Sequence, residues 1–151
     1  MRDIPTPETL ARLVSNVTTT MFGMSFQLTP GTTPRLPWDN APAWRTMVLA
    51  IDGARPIVVA IASDEPSGKV LGGAMFSCPP AEVDAQMVDD SLSELLNIIA
   101  GQVKLSMGLD QALGLPRLHG GSPLNSAQWR TASLQSNATS VKVWVAITES
   151  V

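Results

Sequence analysis

Cysteine and histidine are nearly missing from this chain of 151 residues: each occurs once, as Cys78 and His119. One cysteine excludes an intramolecular disulfide and leaves no ligand set for a thiolate zinc site, which fits a reducing compartment. One histidine excludes a two-histidine metal centre, and a Ser/His/Asp triad would have to rest on that single imidazole. Charge is scarce as well, at 15% of residues, and no two Lys or Arg are adjacent. With a net charge of −3 and a pI near 5.0, the chain lacks the electrostatic footprint of a nucleic-acid binder. No apolar run approaches the ~18–20 residues of a membrane span, and the N-terminus has no apolar signal-peptide core. The expectation is a cytoplasmic protein with neither nucleic-acid nor membrane partners.

What is present is ample apolar material. Hydrophobic residues make up 44% and mean hydropathy is +0.15, so the 11 Gly and 12 Pro do not signal disorder. The length suits one domain, 1–151, large enough to bury a core without staples. Thr6-Pro7-Glu8 reads as a helix start, with Leu10, Leu13, Val14, Val17 and Met21 at helical spacing and a left-handed stop at Gly23. Met24 to Leu28 reads as a short strand, and Thr29 to Pro37 as a loop. Trp44 to Ile51 and Pro56 to Ala62 flank Asp52-Gly53, a hairpin signal. Ser63-Asp64-Glu65-Pro66 opens a shorter helix to about Phe76, weakened by Gly68, Gly72 and Gly73.

A long helix is predicted over Ala81 to Met107, followed by an edge strand over Leu113 to Leu118 that Pro116 interrupts. Strands over Gln128 to Gln135 and Val141 to Thr148 complete the chain, the second alternating Val141, Val143, Val145 and Ile147 against Lys142, Trp144, Ala146 and Thr148. The element order predicts an α+β fold with an antiparallel sheet packed against long helices.

The long helix carries the candidate site. At about 100° per residue, Val88, Leu92, Leu95, Leu96, Ile99 and Val103 fall within about 100° of one another, the width of a core-facing stripe. Asp90, Glu94, Asn97 and Gly101, spaced four, three and four, cluster on the opposite side. A stripe like this is often only a solvated face. Asn and Gly are not what solvation selects, since Asn is a weak helix former and Gly costs about 1 kcal/mol relative to Ala. Gly on an exposed face admits another backbone, and Glu94 and Asn97, one turn apart, project into the same small region.

These residues, Asp90-Ser91-Leu92-Ser93-Glu94-Leu95-Leu96-Asn97-Ile98-Ile99-Ala100-Gly101, resemble the Glu-x-x-Asn-x-x-x-Gly helix of the CheC/CheX/FliY phosphatases of bacterial chemotaxis. Element order extends the resemblance over nearly the whole chain and implies a CheC-like/CheX-like fold. It further implies hydrolysis of the phosphoaspartate of a phosphorylated CheY-like response regulator. Glu94 would pair with the regulator's active-site lysine, and Asn97 would orient the attacking water. Gly101 would spare the docking surface a clash, and Asp90 would add polar contacts at its rim. The chain would need no metal or cofactor of its own, because Mg²⁺ is expected on the regulator. Some relatives carry a second Glu-x-x-Asn on the first helix. Here Leu13-Val14-Ser15-Asn16 puts Leu in place of Glu, and Thr20 stands where Gly would, so one active face is expected, as in CheX. The resemblance is compatible with a homodimer or a monomer. Two other readings remain: a non-catalytic adaptor binding a response regulator or flagellar-switch protein through the same helix face, and a structural domain with a merely solvated stripe.

Other features read blandly. His119-Gly120-Gly121 lacks a partner Gly-x-Ser-x-Gly and reads as a loop histidine. Gly68-Lys69 lacks the first glycine of a phosphate loop. Cys78 has no thiol-activating neighbour in sequence and reads as a small packed residue. Asn16-Val17-Thr18 and Asn137-Ala138-Thr139 match glycosylation sequons that a cytoplasmic chain would not use. Trp38, Trp44, Trp129 and Trp144 read as core or subunit contact, and Trp144, on the polar side of its strand, as a sign of an interface, because both faces of that strand would then be covered.

Overall fold

The computed structural model describes residues 3–28, 45–118, 130–136 and 141–149. The first helix, α1 (Pro7–Phe22), has the predicted ends. The Thr6 hydroxyl accepts from the Thr9 amide at 3.2 Å, and Gly23, at φ +70°, donates to the Thr19 carbonyl at 3.0 Å. Leu10, Val14 and Val17 are buried beneath it. Strand β1 (Phe26–Leu28) follows directly.

Strands β2 (Arg45–Asp52) and β3 (Ile57–Ser63) pair antiparallel, in a register that runs from Arg45 opposite Ser63 to Ile51 opposite Ile57. Residues 52–56 therefore form a wider turn than Asp52-Gly53 alone suggested. The cause is a side chain that behaves like a strand. The Gln111 amide accepts from the Arg55 backbone N–H at 3.0 Å and donates to the Arg55 carbonyl at 2.8 Å, satisfying the turn from outside the hairpin.

Helix α2 (Glu65–Phe76) is capped by Asp64, whose carboxylate accepts from the Ser67 amide at 2.8 Å. Its glycines are packing residues. A Cβ on Gly68 would lie 2.9 Å from Val88 Cγ1, one on Gly72 would lie 2.7 Å from Val83 Cγ1, and one on Gly73 would lie 2.7 Å from the Cys78 carbonyl oxygen. Their absence lets the next helix come close.

That helix, α3, spans Ala85–Met107 and starts later than the predicted Ala81. Pro80–Glu82 form a separate 3-10 turn, Val83 is extended and buried, and Asp84 caps α3 by accepting from the Met87 amide at 2.9 Å. The apolar stripe is buried as expected: Val88, Leu92, Leu95, Leu96, Ile99 and Val103 are all essentially inaccessible. Each such aliphatic side chain contributes about 1.5–3 kcal/mol of burial.

The predicted 113–118 edge strand is two short pieces, β4 (Ala112–Leu113) and β5 (Arg117–Leu118), each pairing with β2. Between them, Gly114 donates to the Ala50 carbonyl at 2.7 Å. Strands β6 (Arg130–Ser136) and β7 (Lys142–Glu149) complete an antiparallel sheet ordered β1-β6-β7-β3-β2-β4, with β5 also on β2. One sheet face carries Met47, Leu49, Ile51, Ile57, Val59, Ile61, Val143, Val145 and Ile147 into a single core with α1, α2 and α3. Val48, Ala60 and Ala146 are buried on the other face, where Trp144 is half-buried. The fold is α+β, as the element order implied.

Two bidentate ion pairs pin the sheet. Arg45 at the start of β2 donates to both Asp89 carboxylate oxygens on α3, at 2.7 and 2.5 Å. Arg55 donates to both carboxylate oxygens of Glu149 at the end of β7, at 2.5 and 3.0 Å, which holds the Glu149 carboxyl below its ordinary value. A lowered carboxyl stabilises the fold above the ordinary carboxylate range near pH 4 and loses that contribution as pH falls through the lowered value. Glu149→Gln should therefore flatten the dependence of Tm on pH below about pH 4, measured by thermal unfolding across an acid series.

Gly73→Ala should destabilise. Overpacking against a backbone carbonyl costs about 1–3 kcal/mol and exceeds the ~1 kcal/mol that Ala gains in helix propensity. Denaturant unfolding measures the difference.

Candidate functional site

With one side of α3 sealed against the sheet, its opposite side faces outward. Asp90, Glu94 and Asn97 are exposed and Gly101 is half-buried, so the structure brings all four sequence-predicted residues onto one outward line. At 1.5 Å rise per residue, Asn97 lies about 4.5 Å along the axis from Glu94, and Gly101 about 6 Å further. The Asp90 carboxylate accepts from the Gln86 side-chain amide at 2.9 Å, one turn earlier. Among the described residues, no hydrogen bond or ion pair engages the side chain of Glu94 or of Asn97. A carboxylate and an amide with all their hydrogen-bonding capacity free, one turn apart, can bind a cation and hold a water.

The backbone under these side chains is firmly held. Leu92, Leu95, Leu96 and Ile99 lie on the buried side, and the Arg45–Asp89 pair ties α3 to β2 one residue before Asp90. Asp89 strengthens the Arg45 guanidinium's hold on its proton by hydrogen bonding. The stripe thus sits on a rigid element rather than a loop.

Gly101 stands apart from the glycines of α2. Among the described residues nothing lies within 4 Å of where its Cβ would be, and it sits mid-helix without a left-handed φ. No packing or turn among the described residues asks for glycine there.

One feature escaped the sequence reading. Beside the stripe, between α1 and α3, lies a groove of about 290 Å³. Its floor is Leu13, Val17, Met21 and Ile98, and its polar rim is Asn16, Thr20 and Gln102. Ile98 and Leu105, seven residues apart on the groove side of the stripe, signal it faintly: Ile98 is half-buried and Leu105 is 69% exposed. The α1 half shows no such signal, because Leu13 and Met21 continue the core periodicity of their helix.

Gly68-Lys69 lies inside α2, where Lys69 pairs with Glu65 at 3.2 Å, so no phosphate loop exists at that point. Cys78 is half-buried and free. Asn16-Val17-Thr18 is helical. His119, Trp38, Trp44, Trp129, the Thr29 to Pro37 loop and Asn137-Ala138-Thr139 lie outside the described residues. Among the described residues no three His, Cys, Asp or Glu gather as a metal site, and no helix is long and apolar enough to cross a membrane.

No family model and no curated protein matches the sequence. Solved structures do match. Over 99% of this chain and 100% of the other, it is similar to the chemotaxis protein CheX from Vibrio vulnificus, with a TM-score of 0.71 at 16% identity. A TM-score of 0.71 at 15% identity, over 97% of this chain and 99% of the other, relates it to the CheX–CheY–BeF₃–Mg²⁺ complex from Borrelia burgdorferi. FliY from Thermotoga maritima aligns over 91% of this chain and 83% of its own, at TM-score 0.64 and 9% identity. The fold is that of the CheX, CheC-like and FliY proteins.

If the fold does not need glycine at 101, Gly101→Ala should raise stability by about 0.5–1 kcal/mol. A higher midpoint of denaturant unfolding would show it, and a lower one would reveal a packing role.

Proposed function

We propose that this chain is a protein phosphatase that hydrolyses the phosphoaspartate of a CheY-type response regulator. The observation that carries the reading is the outward line on α3: Glu94 and Asn97, exposed and unpaired among the described residues, followed by a glycine that no described neighbour requires. The likeness to CheX structures, one of them in a complex with CheY, supports it.

An acyl phosphate is already reactive, so its hydrolysis asks for positioning and charge stabilisation rather than a strong base. The regulator docks with its phosphorylated site over α3. Glu94 forms a charge-assisted contact with the regulator's active-site lysine and fixes the register of the complex. Asn97 enters the site, where its side-chain amide holds one water in line with the phosphorus–oxygen bond that will break. The water oxygen bonds to phosphorus, and the aspartate carboxylate leaves with the electron pair of the broken bond. Inorganic phosphate and the free carboxylate are the products, the water's proton passing to phosphate oxygen or solvent. Mg²⁺ belongs to the regulator and supplies charge neutralisation at the phosphoryl oxygens. This division of labour suits a chain with one histidine, one cysteine and no metal cluster among its described residues.

The fold is also that of FliY, so a second reading keeps the same surface without turnover: an adaptor that binds a regulator or a flagellar-switch protein. One assay separates the two. Phosphorylated CheY-type regulator with Mg²⁺ should lose phosphate faster in the presence of the wild-type protein. Asn97→Ala should reduce the acceleration about 100-fold or more while leaving binding in place, because an unheld water forfeits orientation. Glu94→Ala should weaken regulator affinity about tenfold, the equivalent of ~1.4 kcal/mol. An unchanged rate with Asn97→Ala would defeat the catalytic reading, and binding without any acceleration by the wild type would establish the adaptor.

A further inference from the structure

We propose that the groove between α1 and α3 is the docking pocket for one large apolar side chain on the surface of the response regulator. The inference rests on the reading above that a regulator docks on α3, and it names what makes that docking selective.

Position comes first. Ile98 follows Asn97 directly and lies about 40° round the helix from Glu94, while Gln102 follows Gly101. A protein that brings its reacting group to Asn97 and lies close over Gly101 must overhang this groove. Leu105 falls within about 20° of Ile98 and extends the apolar strip one turn beyond Gly101. The groove and the polar line are two sides of one surface.

Chemistry decides the occupant. The floor is aliphatic and thioether, the rim is two amides and a hydroxyl, and among the described residues no charged side chain lines the groove. An ionic occupant would lose its hydration without a partner. At about 290 Å³ the groove has room for a large anchoring side chain.

Energetics explains the need for an anchor. With charged residues at only 15% of the chain, few ion pairs are available across the interface, and exposed ones contribute little. Binding energy in such interfaces concentrates in a few buried anchors seated in pockets. Glu94 and Asn97 would set register and chemistry, and the groove would supply grip.

The test fills the groove from its rim. Asn16 and Thr20 are exposed on α1, so Asn16→Trp and Thr20→Trp place a large ring over the opening without entering the core. Circular dichroism and thermal unfolding check that the fold persists. Ala74→Trp, on the exposed side of α2, controls for added apolar surface. The probe is a CheY-type regulator activated with beryllofluoride and Mg²⁺, titrated onto each protein.

Both groove-filling variants should lose affinity at least tenfold, Ala74→Trp should not, and with phosphorylated regulator the loss should appear in KM rather than kcat. Wild-type affinity in the filled variants, or equal loss in Ala74→Trp, overturns the proposal. So does a self-associated wild type that the filled variants dissociate in analytical ultracentrifugation, since the groove would then receive a second copy of this chain. The two readings fail separately. Filled variants that bind normally while Asn97→Ala stops turnover remove the groove alone. Filled variants that lose binding to the activated regulator, beside a wild type that never accelerates dephosphorylation, remove catalysis alone. A wild type that binds no regulator removes both.

Discussion

The apolar stripe of α3 against the sheet is the contact on which everything else in this protein depends. Val88, Leu92, Leu95, Leu96, Ile99 and Val103 are sealed between the helix and the strands, in a core shared with Met47, Leu49, Val59 and Ile61. A helix held on one side by six buried aliphatic side chains has no rotational freedom left. Its opposite side must then present Asp90, Glu94, Asn97 and Gly101 outward. The Arg45–Asp89 pair adds a directional constraint where burial alone is non-directional, fixing the N-terminal half of α3 on β2.

Close packing around that helix is obtained by removing side chains. Gly68 and Gly72 let α2 approach Val88 and Val83, and Gly73 makes room for the chain reversal at Cys78. Gly101 has the same composition and the opposite context: empty space where a Cβ would be. Glycine at a mid-helix position without a structural reason weakens the helix. Such a local inconsistency is where function is expected to leave its mark. In the proposed function, a partner's close approach would supply that reason.

Poverty of charge and of catalytic side chains bears on the proposed chemistry in the same way. A protein with one imidazole and one thiol has little with which to build a self-sufficient hydrolase. A reaction whose energy already resides in an acyl phosphate, and whose metal and lysine belong to the substrate protein, needs only an ordered water and a correct register. In the proposed function an exposed carboxylate and amide on a rigid helix would meet that need, and in the proposed docking the apolar groove beside them would supply adhesion that ion pairs do not.

Legibility in the sequence followed the range of the interaction involved. Thr6, Gly23 and Asp64 act on backbone groups within five residues, so the ends of α1 and the start of α2 could be read directly. The start of α3 could not, because its true cap, Asp84, is preceded by a 3-10 turn and a buried Val83 that packs over Gly72 of α2, a contact distant in sequence. Gln111 widens the β2–β3 turn from 56 residues away, and the edge strand divides at Gly114, where the chain meets Ala50. The sequence by itself determined the helix periodicities, the α+β order and the outward line on α3, because each follows from spacing along one element. Only the tertiary structure decided that Leu13 and Met21, packed against the core, also floor a groove with Ile98. That arrangement depends on how two helices distant in sequence lie side by side, and no periodicity within either helix encodes their separation.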